Sequence, residues 1–390
     1  ISEAPLTGYE DMSAWKEFVP HNKNIRIEGI DILKDYVLRE LRRNGLSEIV
    51  AKPISGDMDK IIDFPEPVYS ATLSGNPEYD SNTFRYSYTS LNRPTTLYEY
   101  NIATEKIVKL KEQEVPSGFN PEDYTVERIW ATAKDGVEVP MALVYKKGLK
   151  KDGTNPALIY SYGSYGMSSD VYFSASIYSL IDRGFVYAIA QIRGGSDLGE
   201  QWYEDGKLLN KKNSFTDFIS CSEKLISDGY TSSNKLAAMG GSAGGLLMGA
   251  VVNSRPDLYQ TIVSQVPFVD VINTMLDDSL PLTTGEYEEW GNPNVEEYYH
   301  YILSYSPYDN IKAQDYPNIL VTGGINDSQV LFHEPAKYVA KLRSLKTDDN
   351  ILLMKMNMES GHGGATGRYE GIKDTAFEFA FILNRVGIEK

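Results

Sequence analysis

Cysteine is nearly absent: one residue, Cys221, in 390, which excludes an intrachain disulfide framework. Histidine is almost as scarce, with four copies at positions 21, 300, 333 and 362. So dispersed a set has no metal-ligand spacing, and neither a metal nor an organic cofactor is expected. Long apolar runs are missing, so no stretch reads as a membrane span. Basic residues are in deficit, 38 Lys and Arg against 54 Asp and Glu, for a formal charge of −16. A nucleic-acid binder needs a basic patch and is excluded as a class, whereas cationic partners would be attracted. The lone thiol suits a reducing compartment, and a cytoplasmic location is expected. The chain starts at Ile1, without a methionine, on sequence that reads as mid-domain.

Tyrosine is abundant, at 28 residues, and its amphipathic ring suits strands and pocket walls. By pattern the chain divides in two. Residues 1–127 read as all-β: "IRIEGIDILKDYVLREL", "GLSEIVAKPI", "PVYSATLSG" and "FRYSYTSLNRPTTLYEYNIATEKIVKL" are strand-like runs separated by Asn, Pro, Gly and Asp, with clear alternation in the last. Propeller blades take about 40 to 50 residues each, so this length holds only two or three, where a ring needs at least four. The region is therefore expected to be the end of a propeller whose other blades lie upstream or on a separate piece, or else a small self-contained β-domain. Residues 128–390 alternate the runs "ALIYSYG", "FVYAIAQIR", "KLAAMG", "TIVSQVP", "NILVTGG" and "ILLMKM" with helical stretches near 213–228, 243–254, 332–345 and 372–387. Continuous apolar strands between helices predict a parallel sheet covered on both faces, an α/β domain.

The stretch "MGGSAGGLLM" sets Ser242 among four glycines, between a strand-like and a helical run. Gly240 to Gly244 fits G-x-S-x-G, the nucleophile elbow of α/β-hydrolases, in which a sharp corner pushes the hydroxyl clear of the sheet. The amide of Ala243, at the helix N-terminus, would face a developing oxyanion. A glycine-rich helix entry with an incidental serine is the plain alternative.

An activated serine needs a base and the base an orienting acid, in chain order Ser, Asp or Glu, His. Asp327 follows the strand-like "NILVTGG" and His362 follows "ILLMKM", and such strand ends are where these sheets place their active sites. His333 falls only six residues after Asp327, at a helix start. Asp327 could equally cap that helix, and His362 could be an ordinary loop residue. A second oxyanion donor belongs on the loop of "LIYSYGSYG", where Tyr160, Tyr162 and Tyr165 compete.

Taken together, "YSYGSYG", "RGGSDLGEQWYEDGK", "GGSAGG", "TTGEYEEWGNP", "GINDSQV" and "GHGG", with "DGVEVPMALVY" at the passage between regions, resemble the prolyl oligopeptidase family of serine peptidases, in its oligopeptidase B branch. The resemblance covers essentially the whole chain. It implies an α/β-hydrolase domain, residues 128–390, joined to the C-terminal blades of an incomplete β-propeller, residues 1–127. Ser242 would be the nucleophile, Asp327 the acid, His362 the base and Tyr162 the second oxyanion donor. Short peptides cut after Arg or Lys would be the substrates, the missing part of the propeller a possible partner. Glu286 and Glu288 map to the specificity carboxylates, Phe268 to the aromatic wall, and Asp170 to an acidic pair near the entrance. Tyr172 replaces the second acid of that pair. In an extended segment residues two apart face the same side, so Glu286 and Glu288 are expected to converge on one guanidinium; a helix would bring Glu286 and Glu289 together instead. A proline-directed peptidase, a carboxylesterase or a catalytically silent fragment are the alternatives. The carboxylates of "EYEEW" argue against the first two, because a proline or acyl pocket has no use for them.

Overall fold

The computed structural model describes residues 1–56, 58–116 and 118–388. After a short ribbon pairing Ser2–Glu3 with Lys16–Glu17, two antiparallel sheets follow. The first runs in the order β1 (Ile25–Ile32), β2 (Tyr36–Arg43), β3 (Leu46–Pro53), β4 (Lys60–Ile61). The second consists of β5 (Ser70–Leu73), β6 (Thr83–Ser90), β7 (Arg93–Asn101) and β8 (Lys106–Glu112), each beside its chain neighbour. Sequential four-stranded meanders of this kind are the unit of a propeller. Their alternation buries Leu38, Ile49, Phe84, Tyr86, Tyr88 and Tyr100 in one shared core. The edge strand β1 leaves Ile27, Ile30 and Ile32 exposed.

An eight-stranded sheet forms the rest. It consists of β9 (Tyr124–Thr132), β10 (Glu138–Lys146), β11 (Ala157–Tyr160), β12 (Val186–Ala190), β13 (Leu236–Gly241), β14 (Thr261–Gln265), β15 (Asn318–Gly324) and β16 (Leu352–Asn357), in the order β9-β10-β12-β11-β13-β14-β15-β16. β9 and β10 pair antiparallel and β10 meets β12 antiparallel; every pairing from β12 to β16 is parallel. Successive residues face opposite cores: Ala157 and Ile159 lie in one, Leu158 in the other. Helices α1 (Lys212–Ser227), α2 (Ala243–Ser254) and α4 (His333–Leu345) pack on the first side, and α5 (Arg368–Arg385) on the second; the one-turn helix α3 (Tyr287–Trp290) lies between α2 and α4 in the chain. Cys221 of α1 is fully buried and its thiol is pushed well above the usual range by burial.

The expected boundary at 127/128 falls inside β9, which pairs with β10 along its whole length. The regions pack directly: Tyr178 Oη donates to the Leu91 carbonyl at 2.7 Å, and Ser70 Oγ to that of Val171 at 2.8 Å. Among the described residues no helix is long and apolar enough to cross a membrane.

Candidate active site

Ser242 sits between β13 and α2 with φ 57° and ψ −117°, a left-handed conformation unfavourable for a side-chain-bearing residue. The surroundings hold it there. Its amide donates to the Gln265 carbonyl at 2.8 Å, and its carbonyl accepts from Phe268 N at 3.1 Å. The flanking glycines answer to close approach. A Cβ on Gly240 would lie 2.4 Å from the Gly244 oxygen, and one on Gly245 2.4 Å from Pro267 Cβ. The corner is thus a backbone crossing with no room for side chains, not a flexible loop. Ala243, first residue of α2, has no acceptor one turn back for its amide.

Asp327 and His362 meet. His362 Nδ1 lies 2.7 Å from Asp327 Oδ2, and since an ionised carboxylate only accepts, Nδ1–H is the donor and Nε2 is left free for proton uptake. Asp327 Oδ1 accepts from the amides of Gln329 and Val330, each at 2.9 Å. These bonds fasten a turn ahead of α4 rather than the helix itself, which starts at His333. The two loops are zipped by Ile325 N to the Asn357 carbonyl and Asn326 N to that of Ser360. Gly324 permits this, for a Cβ there would stand 2.5 Å from the Ser360 oxygen. Ser242 and His362 line one cavity of about 360 Å³. No direct hydrogen bond joins them among the described residues; contacts of this type tighten when substrate binds.

Of the three candidate tyrosines, Tyr162 adjoins the serine. Burial pushes its phenol up to about 12, and it lines the same small cavity as Ser242. Tyr165 is committed elsewhere, its hydroxyl donating to Glu286 Oε2 at 2.5 Å. Tyr160 packs in the core on the far side of the sheet. A second cavity, of about 160 Å³, opens beside Ser242 and is lined by Tyr162, Tyr165, Phe268, Glu286 and Glu334. Phe268 packs on Trp290 with ring centroids 5.4 Å apart. Glu286 Oε2 also accepts from Trp290 Nε1 at 2.7 Å, which leaves Oε1 without a partner among the described residues.

The extended arrangement of 286 to 288 is not formed. Glu286 caps α3 in the right-handed helical region, so Glu288 lies exposed on another face and Glu289 turns inward. The helix-forming run, stopped by Gly291 at φ 94°, prevails over period-two spacing. Asp170 is ion-paired with Arg42 Nη1 of β2 at 2.7 Å, and Arg42 also meets Glu28 at 2.8 Å. Tyr172, next but one, is exposed.

Glu334 was not foreseen. It is almost wholly buried, its carboxyl raised to about 7 mainly by burial. Its Oε2 accepts from the amides of Val269 and Asp270, which fixes the segment that carries Phe268. A lone glutamate in a first helical turn gives no sequence sign of such a role.

Set against known proteins, residues 171–389 match the model described as "Prolyl oligopeptidase family", and residues 4–113 that described as "Prolyl oligopeptidase, N-terminal beta-propeller domain". Dipeptidyl aminopeptidase BI of Pseudoxanthomonas mexicana is 48% identical over 96% of this chain and 52% of its own length. Protease 2 of Moraxella lacunata is 44% identical over 97% and 55%. Oligopeptidase B from Leishmania major superposes with a TM-score of 0.93 at 44% identity, over 98% of this chain and 54% of that one. The chain spans about half the length of the curated relatives it matches.

Proposed function

Since the chain belongs to the prolyl oligopeptidase family, with an α/β-hydrolase domain and propeller sheets, we propose that it is a serine endopeptidase for short peptides, cutting after Arg or Lys. Ser242 Oγ attacks the scissile carbonyl as His362 Nε2 takes its proton, and Asp327 steadies the imidazolium. The oxyanion is held by the Tyr162 hydroxyl and the Ala243 amide. Collapse of the tetrahedral intermediate passes the proton from His362 to the leaving amine, and water then releases the acyl group by the reverse sequence of transfers.

The basic preference is carried by one observation: Glu286, its Oε1 unpartnered among the described residues, lines the same small aromatic-walled cavity as Ser242. A carboxylate there favours a guanidinium over proline or an acyl chain. The name of the Pseudoxanthomonas relative raises a second reading, removal of dipeptides from a free N-terminus. That chemistry calls for an acidic anchor close upstream of the cut, and Asp170 is already engaged by Arg42. Further propeller blades are the proposed partner of the exposed isoleucines on β1.

The test is labelling of Ser242 by a fluorophosphonate, together with turnover of N-blocked peptide anilides that carry Arg or a neutral residue just before the anilide. Labelling with strong preference for blocked Arg substrates is expected. An unlabelled serine, or equal rates, refutes the reading, and activity on free N-termini alone would favour dipeptide release.

Tyr162→Phe is expected to lower kcat about 10²- to 10³-fold with little change in KM, the scale of one lost oxyanion donor; an unchanged kcat would move the role to another group. Arg42→Met should release Asp170, the half-exposed member of a pair whose arginine is buried, and raise selectivity for a second basic residue about 2- to 5-fold. Competition between Arg-Arg and Ala-Arg substrates measures it.

A further inference from the structure

Lys211, immediately before α1, is 1% exposed, a place where an ammonium is costly unless each proton has an acceptor. All three are met: the Gly163 carbonyl at 2.7 Å, Ser164 Oγ at 2.6 Å and Glu289 Oε1 at 3.3 Å. The Trp290 ring centroid lies 4.9 Å from the nitrogen. Gly163 and Ser164 directly follow Tyr162, whereas Glu289 and Trp290 belong to α3, the helix capped by Glu286. One buried cation therefore ties two segments that are far apart in the chain and that supply different parts of the site. Gly163 has φ 72°, and a Cβ there would lie 2.5 Å from Ile192, so this loop packs closely on the segment that follows β12 as well as being tied. Glu289 is completed by the Tyr203 hydroxyl at 2.8 Å, which leaves the pair no solvent to fall back on.

We propose that Lys211 is a positioning residue that locks the oxyanion tyrosine and the basic pocket into one unit, so that transition-state stabilisation and Arg selectivity depend on the same tether. This rests on the peptidase reading above. A hydrogen-bond donor stabilises an oxyanion fully only when it is held in place before the charge develops. Without Lys211, the Gly163 carbonyl loses its charged donor, and the adjacent Tyr162 loses its restraint. Glu289 becomes an unpaired buried carboxylate, which drives α3, and with it Glu286, toward water.

The experiment compares Lys211→Met, Ser164→Ala and Glu289→Gln with the wild type on blocked Arg and neutral peptides. For Lys211→Met, kcat on the Arg substrate should fall about 10- to 100-fold, less than loss of the phenol itself. The Arg-to-neutral ratio of kcat/KM should fall about tenfold or more. Ser164→Ala should act mainly on kcat and Glu289→Gln mainly on the ratio. Adding Tyr162→Phe to Lys211→Met should cost little beyond Tyr162→Phe alone, because the lysine acts on kcat through that phenol. Fluorophosphonate titration counts working sites in every sample. A wild type that takes no label refutes the peptidase reading, and the tether falls with it. A labelled, active wild type beside a folded Lys211→Met protein with unaltered kcat and ratio overturns the tether alone. If Lys211→Met does not fold, an unaltered kcat in Ser164→Ala, or equal losses on both substrates from Glu289→Gln, overturns it instead.

Discussion

Ser242→Ala is expected to lower kcat by roughly 10⁶-fold, His362→Ala by a similar factor, and the double variant to be barely worse than either, because members of a triad act as a unit. An alcohol is a poor nucleophile until its proton has somewhere to go. Here the acceptor is held in one tautomer by Asp327, whose other oxygen is saturated by two amides. Affinity for a product peptide should persist in both variants, since neither change touches the pocket carboxylate. Steady-state turnover of a blocked Arg substrate, with peptide titration of the inactive forms, measures both. A damaging His333→Ala beside a mild His362→Ala would reassign the base, against the bond that pairs Asp327 with His362.

Glu286→Gln should reduce kcat/KM for Arg substrates by roughly 30- to 4,000-fold, the consequence of removing one carboxylate opposite a desolvated cation. The amide can still accept from Tyr165 and Trp290, so the pocket keeps its shape and a neutral substrate should change less than about threefold. Arg should outrank Lys, because a planar fork meets a carboxylate in two bonds and an ammonium cannot. Glu288→Gln is expected to do little, since α3 leaves that residue exposed. Equal losses on charged and neutral substrates would remove Glu286 from the pocket. Effects of Glu289→Gln belong to the tether through Lys211, not to direct contact with substrate.

Which parts of this were readable beforehand follows from the range over which each signal acts. Apolar runs of strand length separated by helical ones are local, and the parallel pairing from β12 to β16, though not the order of the strands, follows from them. The elbow is equally local, for only small residues let the strand and helix backbones cross at Gly240 and Gly245. The meeting of Asp327 with His362 was legible through chain order and their places after β15 and β16. The relation of Glu286 to Glu288 was misread: "EYEEW" was given the period of a strand, although the following "GNP" is a helix stop signal. The short helices Val271–Leu276 and Glu296–Leu303 went unseen, being too brief to establish a 3.6-residue period. Lys211 and Glu334 were invisible for another reason. A charged residue advertises exposure, and only the meeting of distant segments around it reveals that it is inside.

The burial of Cys221 has a kinetic meaning. A thiol that is sealed beneath α1 and kept protonated by its apolar surroundings reacts with a solvent-borne alkylating reagent only while that helix is away from the sheet. As the sole sulfhydryl of the chain, it makes the added reagent mass a gauge of how readily the catalytic core opens, one that needs no engineered label.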